Sequence, residues 1–343
     1  MDLRGLLELA VTRRASDLHI TVESAPAVRI HGELVRIGGE TVTPRTAEEL
    51  FMSVCPAHLL ERFRASGQVD FPYSVAGLSR FRVNAFRQRG SVAMCVRVLS
   101  SQMPTIESLR LPQVVTDLAS REYGLVLVTG PTGSGKSSTL AAMINLINES
   151  KALHVITLED PIEYLHRHKK SIINQREVGT DTASFADGAR AAMREDPDVI
   201  VIGELRDLET ARTALSAAET GHLVLATLHA TSASQAVNRV VDIFPLEHQR
   251  QAQANFSAVV EGVISQQLIP RARGPGRVLA CEVLLGAPEV RDIIRGGRTH
   301  ELYPVMERGR AAGMRTMAQS VAELHDSGVI SWSEAGVRTG FAP

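Results

Sequence analysis

The stretch from Gly130 to Ser137 reads GPTGSGKS, between an apolar run at 124–129 and a segment of helical spacing at 138–147. Strand, glycine-rich loop and helix in that order are the context in which such a loop cradles phosphate. Gly130, Gly133 and Gly135 let the backbone turn so that successive N–H groups converge on an anion. A helix beginning near Gly135 adds the positive end of its dipole. Pro131, Thr132, Gly133, Ser134, Gly135, Lys136, Ser137 and Ser138 then line the phosphates. Lys136 reaches the β- and γ-phosphates, and the Ser137 hydroxyl ligates Mg²⁺. The chemistry these types and spacings point to is binding of a nucleoside triphosphate, ATP with Mg²⁺.

Ligands of an open parallel sheet bind beyond the carboxyl ends of its strands. The run 154–158 ends in Glu159, Asp160 and Glu163, the run 198–202 in Gly203 and Glu204, and the run 222–228 in His229. Glu204 follows a strand as the Mg²⁺-holding acid of phosphate-loop NTPases does, with Gly203 in place of the usual aspartate. The alternative is a capping role at the helix read over 207–220. Glu163 is the candidate to orient or deprotonate the attacking water, with Glu159 and Asp160 competing. His229 stands at the nucleotide end and can sense the γ-phosphate. His222 begins the same strand, ~23 Å away at ~3.3 Å per residue, so a structural role or a subunit contact fits it better. Phosphoryl transfer is commonly completed by an arginine from elsewhere. Arg80, Arg82, Arg87 and Arg97 cluster on strand-like segments, with Arg80 and Arg82 on one face.

The elements that must position these residues fall into two patterns. Up to residue 98 the chain reads as a small α+β unit. A helix is expected at 2–14, short strands at 17–21, 27–30 and 33–37 with a turn at His31-Gly32, helices at 45–54 and 56–65, and strands at 68–74, 79–88 and 91–98. The segment 99–112, with Pro104 and Pro112, reads as a linker. Strands and helices then alternate as in a parallel sheet with covering helices, with helices at 136–149, 183–195 and 207–220. Helices at 231–242 and 246–261 precede an antiparallel pair, 263–269 with 277–285, and 286–343 is a helical C-terminal region.

The 343 residues carry 37 Lys and Arg against 38 Asp and Glu, a net charge of −1. That balance argues against a dedicated nucleic-acid binder, although a local basic groove is compatible with it. Cys55, Cys95 and Cys281 are widely spaced and odd in number, a pattern for reduced thiols rather than a disulfide framework or a metal site. The acidic start, MDLRGLLE, is unlike a signal peptide, and no apolar run approaches the ~20 residues of a membrane span. A soluble cytoplasmic protein is expected, with any membrane role exercised through a partner.

Taken together the motifs resemble the secretion-type hexameric ATPases, on the branch that retracts type IV pili. The resemblance covers nearly the whole chain. ASDLHI at 15–20 is similar to the family's opening strand, ITLEDPIE at 156–163 to its aspartate box, DPDVIVIGELRD at 196–207 to its atypical acidic strand and TGHLVLATLHA at 220–230 to its histidine box. The assembly and type II secretion relatives usually carry a four-cysteine insertion and longer N-terminal regions, which this chain lacks. PEVRDIIRG at 288–296 resembles the retraction motif, AIRNLIRE after a proline, with Glu289 where alanine is expected and Gly296 where glutamate is expected.

The resemblance implies a PAS-like N-terminal domain (1–98), the linker (99–112), and a RecA-like core (113–285) with the C-terminal helices (286–343). It implies a homohexamer with nucleotide between the domains and Arg82 and Arg97 closing over it. It also implies a partner, the inner-membrane platform protein of the pilus machine, with the ring cytoplasmic and peripheral to that membrane. Retraction with twitching motility is the expected output. An accessory retraction-type motor, an assembly or secretion ATPase and a RecA-like nucleic-acid translocase are the alternatives.

Overall fold

Leu3, Leu7 and Ala10 form the buried stripe of helix α1 (Leu3–Thr12), started by Asp2, whose carboxylate accepts from the Arg4 and Gly5 N–H groups. Strands β1 (Asp17–Ile20), β2 (Ala27–Ile30) and β3 (Glu33–Arg36) follow. Helices α2 (Pro44–Met52) and α3 (Ala57–Ser66) lead into β4 (Gln68–Val75), β5 (Ser79–Gln88) and β6 (Ser91–Val98). The six strands form one antiparallel sheet in the order β3-β2-β1-β6-β5-β4. Helices α1, α2 and α3 pack on β1, β6 and β4. Leu18, Ile20, Phe81, Val83, Met94 and Val96 turn toward them and share a core with Leu7 and Phe51. Period-two alternation therefore puts Arg82 and Arg97 on the opposite face.

The computed structural model describes residues 2–30, 32–99 and 103–339. His31 of the expected turn, 100–102 of the expected linker and 340–343 lie outside the described residues. The chain divides into two units, 1–102 with 163–165, and 103–162 with 166–343.

The second unit opens with α4 (Val114–Ala119) and continues through β7 (Gly124–Thr129), α5 (Lys136–Ser150), β8 (His154–Glu159) and β9 (Ile172–Glu177). Next come α6 (Phe185–Ala192), β10 (Val199–Ile202), α7 (Leu208–Glu219), β11 (Leu223–Leu228), α8 (Ala233–Asp242) and α9 (Gln249–Val259). The hairpin of β12 (Val260–Pro270) and β13 (Arg277–Leu285) is followed by α10 (Pro288–Arg295), α11 (Leu302–Arg308), α12 (Met317–Asp326) and α13 (Trp332–Thr339). The sheet order is β13-β12-β7-β11-β10-β8-β9, parallel throughout except for β13.

Every residue of β7 and β11 is buried, as in a sheet covered on both faces. Leu125, Leu127, Ile156 and Ile200 point into one core with α6–α11. The alternate residues Val126, Val128, Val155 and Val199 point into another with α4 and α5. The expected fold class, a small α+β unit followed by an α/β unit with a parallel sheet, is the one observed.

Several segments differ from the sequence expectation, among them helix α4, which it did not include. Strand β9 has no counterpart in it, because Asn174-Gln175-Arg176-Glu177 lacks an apolar period. The strand exists because its backbone pairs with β8 from His154↔Ile172 to Glu159↔Glu177. The helix expected to run to 261 ends at Val259, and Val260 already pairs with Leu125 of β7. In the stretch read as linker, Ile106 and Leu111 are buried in the core that contains Val115 and Leu140.

Candidate functional site

Three glycines bend the chain between β7 and α5, at φ values of 147° (Gly130), 76° (Gly133) and 94° (Gly135). A Cβ on Gly130 would lie 2.5 Å from the Gln266 carbonyl oxygen, so the start of the loop has no room for a side chain. Beneath it the Thr129 and Ser265 hydroxyls meet at 2.7 Å, and the Gln266 amide donates to Thr139 of α5 at 2.6 Å. The Lys136 ammonium folds back on the loop, donating to the carbonyls of Gly130 (2.9 Å) and Pro131 (3.1 Å).

Helix α5 begins at Gly135 and, like α4, α9, α10 and α11, has no side-chain cap. Its first-turn N–H groups, with the Ser137 hydroxyl among them, are the donors a phosphate chain requires. Among the described residues no group of three or more His, Cys, Asp or Glu is placed to hold a metal ion by itself. The loop offers the Ser137 hydroxyl to a Mg²⁺, which would need phosphate oxygens to complete its oxygen ligands.

At the next strand ends, Glu204 Oε1 lies 3.2 Å from His229 Nε2 and Glu204 Oε2 lies 2.6 Å from an Arg206 nitrogen. Burial pulls the Glu204 carboxyl upward. The Arg206 hydrogen bond and the charges of His229, Arg206 and Lys136 outweigh it and hold the group below the usual carboxylate range. The helix-cap alternative for Glu204 is not the geometry found. Asp207 caps α7, accepting from the Thr210 N–H at 2.9 Å. Gly203 has a packing reason, since a Cβ there would stand 2.9 Å from the Leu158 carbonyl oxygen. The Gly203 carbonyl in turn accepts from the buried Thr227 hydroxyl.

Glu159 is held by the Thr157 hydroxyl (2.6 Å) and the Gln175 amide (2.9 Å). Asp160 and Glu163 are exposed on the segment beyond it. His222 precedes β11 at the other end of the strand, where Nδ1 lies 3.0 Å from the Ala217 carbonyl. In the first unit Arg82 and Arg97 are directly opposed on β5 and β6. Arg97 pairs with Asp17 at 3.0 Å and Arg82 approaches Asp70 at 3.5 Å.

The second unit thus brings Glu204 and His229 together on the rim that carries the phosphate loop. Residues without a sequence signal join them, namely Arg206, Gln175 and a cavity of about 190 Å³ beside the loop. That cavity has Ser134, Gly135 and Ser138 on one side and Leu268, Arg271 and Arg277 on the other. The two arginines flank a hairpin turn, a place where basic residues are commonplace, and only the fold sets them beside the loop.

Residues 2–274 match a family described as Type II/IV secretion system protein. The Type IV pilus retractation ATPase PilT of Pseudomonas aeruginosa is 42% identical over 335 residues, covering 98% of this chain and 97% of that protein. The Type IV pilus ATPase PilU of the same organism is 40% identical over 335 residues, covering 98% and 88%. A crystal structure of the pilus retraction motor PilT with bound ADP superposes with a TM-score of 0.92 at 46% identity, covering 100% of this chain and 97% of that one.

Proposed function

This chain belongs to the Type II/IV secretion system protein family, and from that premise we propose that it is an ATP-hydrolysing motor that drives retraction of type IV pili and so twitching motility. The observation that carries the proposal is the end-to-end correspondence, in sequence and in fold, with the pilus retraction motor PilT. The uncapped loop–helix junction and the Glu204–His229 pair on one rim supply chemistry that suits it.

In this reading the backbone from Pro131 to Ser138 and the Lys136 ammonium hold the triphosphate. The Leu268–Arg271–Arg277 wall receives the rest of the nucleotide. Ser137, with Glu204 on the same rim, would hold a Mg²⁺, which would supply neutralisation of phosphate charge. Glu163 orients the water and takes its proton as oxygen attacks the γ-phosphorus and the bond to ADP breaks. His229 registers the γ-phosphate and passes its presence to Glu204. Arg82 and Arg97 are supplied in trans within a homohexamer. The ring works in the cytoplasm against the inner-membrane platform protein of the pilus machine. No helix among the described residues is long and apolar enough to cross a membrane.

An accessory motor is the second reading, favoured by Glu289 and Gly296 in the segment that resembles the retraction motif. A nucleic-acid translocase is disfavoured by the balanced charge. The test is ATP turnover and solution mass of the wild type, Lys136→Ala and Glu163→Gln, with complementation of a retraction-deficient strain for twitching. A hexamer whose turnover is lost in both variants and that restores twitching is expected. Full turnover in Lys136→Ala would overturn the motor reading, and an active ring without complementation would favour the accessory one.

A further inference from the structure

We propose that Gln175 and Glu177, on the edge strand β9, are positioning residues for hydrolysis that clamp both ends of the tripeptide carrying Glu163. The proposal rests on the reading of Glu163 as the residue that orients the attacking water. Glu163 is exposed and lies between Ile162 and His166 on a segment without regular secondary structure. A general base on such a segment needs its backbone fixed, because a displacement of ~1 Å at a reacting group costs about 100-fold in rate.

The fixing comes from one face of one strand. The Ile162 N–H donates to Glu177 Oε2 at 3.1 Å, and the His166 N–H donates to Gln175 Oε1 at 2.8 Å. Gln175 and Glu177 are two residues apart in a strand and therefore point the same way. The register with β8 sets Gln175 opposite Thr157 and Glu177 opposite Glu159, which places all four side chains on that face. Gln175 Nε2 donates to Glu159 Oε1 at 2.9 Å, and the Thr157 hydroxyl donates to the same oxygen at 2.6 Å. A carboxylate only accepts and a backbone N–H only donates. One orientation of the Gln175 amide satisfies both neighbours, so Glu159 sets the direction in which Gln175 presents its oxygen to His166.

Glu177 is fixed in turn. It is 5% exposed, and its own N–H donates to Asp181 at 2.8 Å. Ile162, the residue before Glu163, is 3% exposed and anchors the segment from the apolar side. Glu159, one of the two acidic residues that compete with Glu163 for the base, thus acquires a different job: it holds the clamp.

The experiment is ATP turnover at saturating and limiting ATP, with affinity for a fluorescent ADP analogue and thermal unfolding measured alongside. It uses full-length Gln175→Leu, Glu177→Leu, Glu177→Gln and, as reference, Glu163→Gln. Gln175→Leu replaces the amide with an apolar side chain one methylene shorter and loses both hydrogen bonds. Its kcat is expected to fall about 10- to 100-fold, with analogue affinity within about threefold of the wild type. Glu177→Gln keeps an oxygen for the Ile162 N–H and is expected to turn over at least about fivefold faster than Glu177→Leu. A kcat in Gln175→Leu within about twofold of the wild type, while Glu163→Gln is inactive, overturns the clamp. A parallel loss of analogue affinity, turnover and melting temperature in both Gln175→Leu and Glu177→Gln also overturns it, since β9 would then support the whole unit. Turnover retained in Glu163→Gln overturns the assignment of the base itself, and the clamp falls with it.

Discussion

Glu204 Oε1 and His229 Nε2 stand 3.2 Å apart across the carboxyl ends of β10 and β11, which pair in register from Val199↔Leu223 to Ile202↔Ala226. β10 ends at Ile202, level with Ala226, and β11 runs two residues further to Leu228, so Glu204 and His229 both stand just beyond the strand ends. The other Glu204 oxygen is held by Arg206 at 2.6 Å. His229 thus has a direct contact to Glu204 that needs no movement of the strands.

Glu204→Gln is expected to lower kcat at least about 100-fold, and His229→Ala about 10-fold or more with a smaller change in KM. The pH dependence has a definite sign. Glu204 titrates below its ordinary value of 4.5, so it is ionised throughout the neutral range and loses its charge only as pH falls through the lowered value. Arg206→Ala removes the hydrogen bond that contributes most to that lowering. The acid limb of the turnover profile should move upward in pH, read from kcat between about pH 3 and 7.5. An unchanged limb would separate Arg206 from the ionisation of Glu204.

Gly203→Asp recreates the acid that phosphate-loop NTPases usually carry, and here it is expected to harm the protein. The new Cβ would stand 2.9 Å from the Leu158 carbonyl and 3.2 Å from the Phe185 ring. Overpacking of this kind costs about 1–3 kcal/mol. A lower melting temperature with no gain in turnover is the expected result. A variant as stable as the wild type and more active would show that β10 can shift to accept the side chain.

What the sequence disclosed and what it concealed divide along physical lines. The strand ends at Thr129, Glu159, Ile202 and Leu228 follow from four apolar runs, and the rule that ligands sit beyond carboxyl ends then gathers Lys136, Glu204 and His229. Strand β9 was hidden because its stability comes from backbone pairing and side-chain hydrogen bonds, neither of which leaves a hydrophobic period. Arg206 was hidden within a quoted motif, since a charged residue after a strand is ordinarily solvated. The cavity wall at Arg271 and Arg277 depends on a hairpin returning beside a loop 140 positions earlier in the chain, a long-range relation that no local spacing encodes.

His166 gives the protein an acid sensitivity of its own. Burial pushes its imidazole down to about 4 from an ordinary 6.5, and the Lys169 charge adds to the effect. The unfolded chain takes up a proton as pH falls through 6.5 while the folded chain does not. The stability present above 6.5 is therefore lost progressively down to about 4. A difference of that size corresponds to about 3 kcal/mol at most. His166→Leu keeps the backbone N–H that donates to Gln175 and removes the titration. Its melting temperature should fall less steeply than that of the wild type between pH 6.5 and 4.5. Equal slopes would mean that His166 is accessible to water and titrates normally.

Of the two departures from the retraction motif, Glu289 sits in the first turn of α10, whose buried side is intact, and Gly296 follows the helix as its C-cap. Val290, Ile293 and Ile294 of α10 point into the core of the second unit. Arg291 ties the helix down, pairing with Glu261 at 2.6 Å and donating to the Gly286 and Ser257 carbonyls at 2.8 and 3.0 Å. Glu289 faces outward and pairs with Arg308 at 3.0 Å, both side chains exposed, an arrangement worth at most about 1 kcal/mol. Glu289→Ala should leave the melting temperature and ATP turnover nearly unchanged, because it alters neither the buried stripe nor the Arg291 tie. Its effect belongs to the outer face of α10, where a partner would read it. If twitching in a complemented strain rises with Glu289→Ala at constant turnover, the departure weakens coupling to the pilus machine. If twitching and turnover both stay at the wild-type level, Glu289 is a tolerated surface change and the motif acts through its buried side alone.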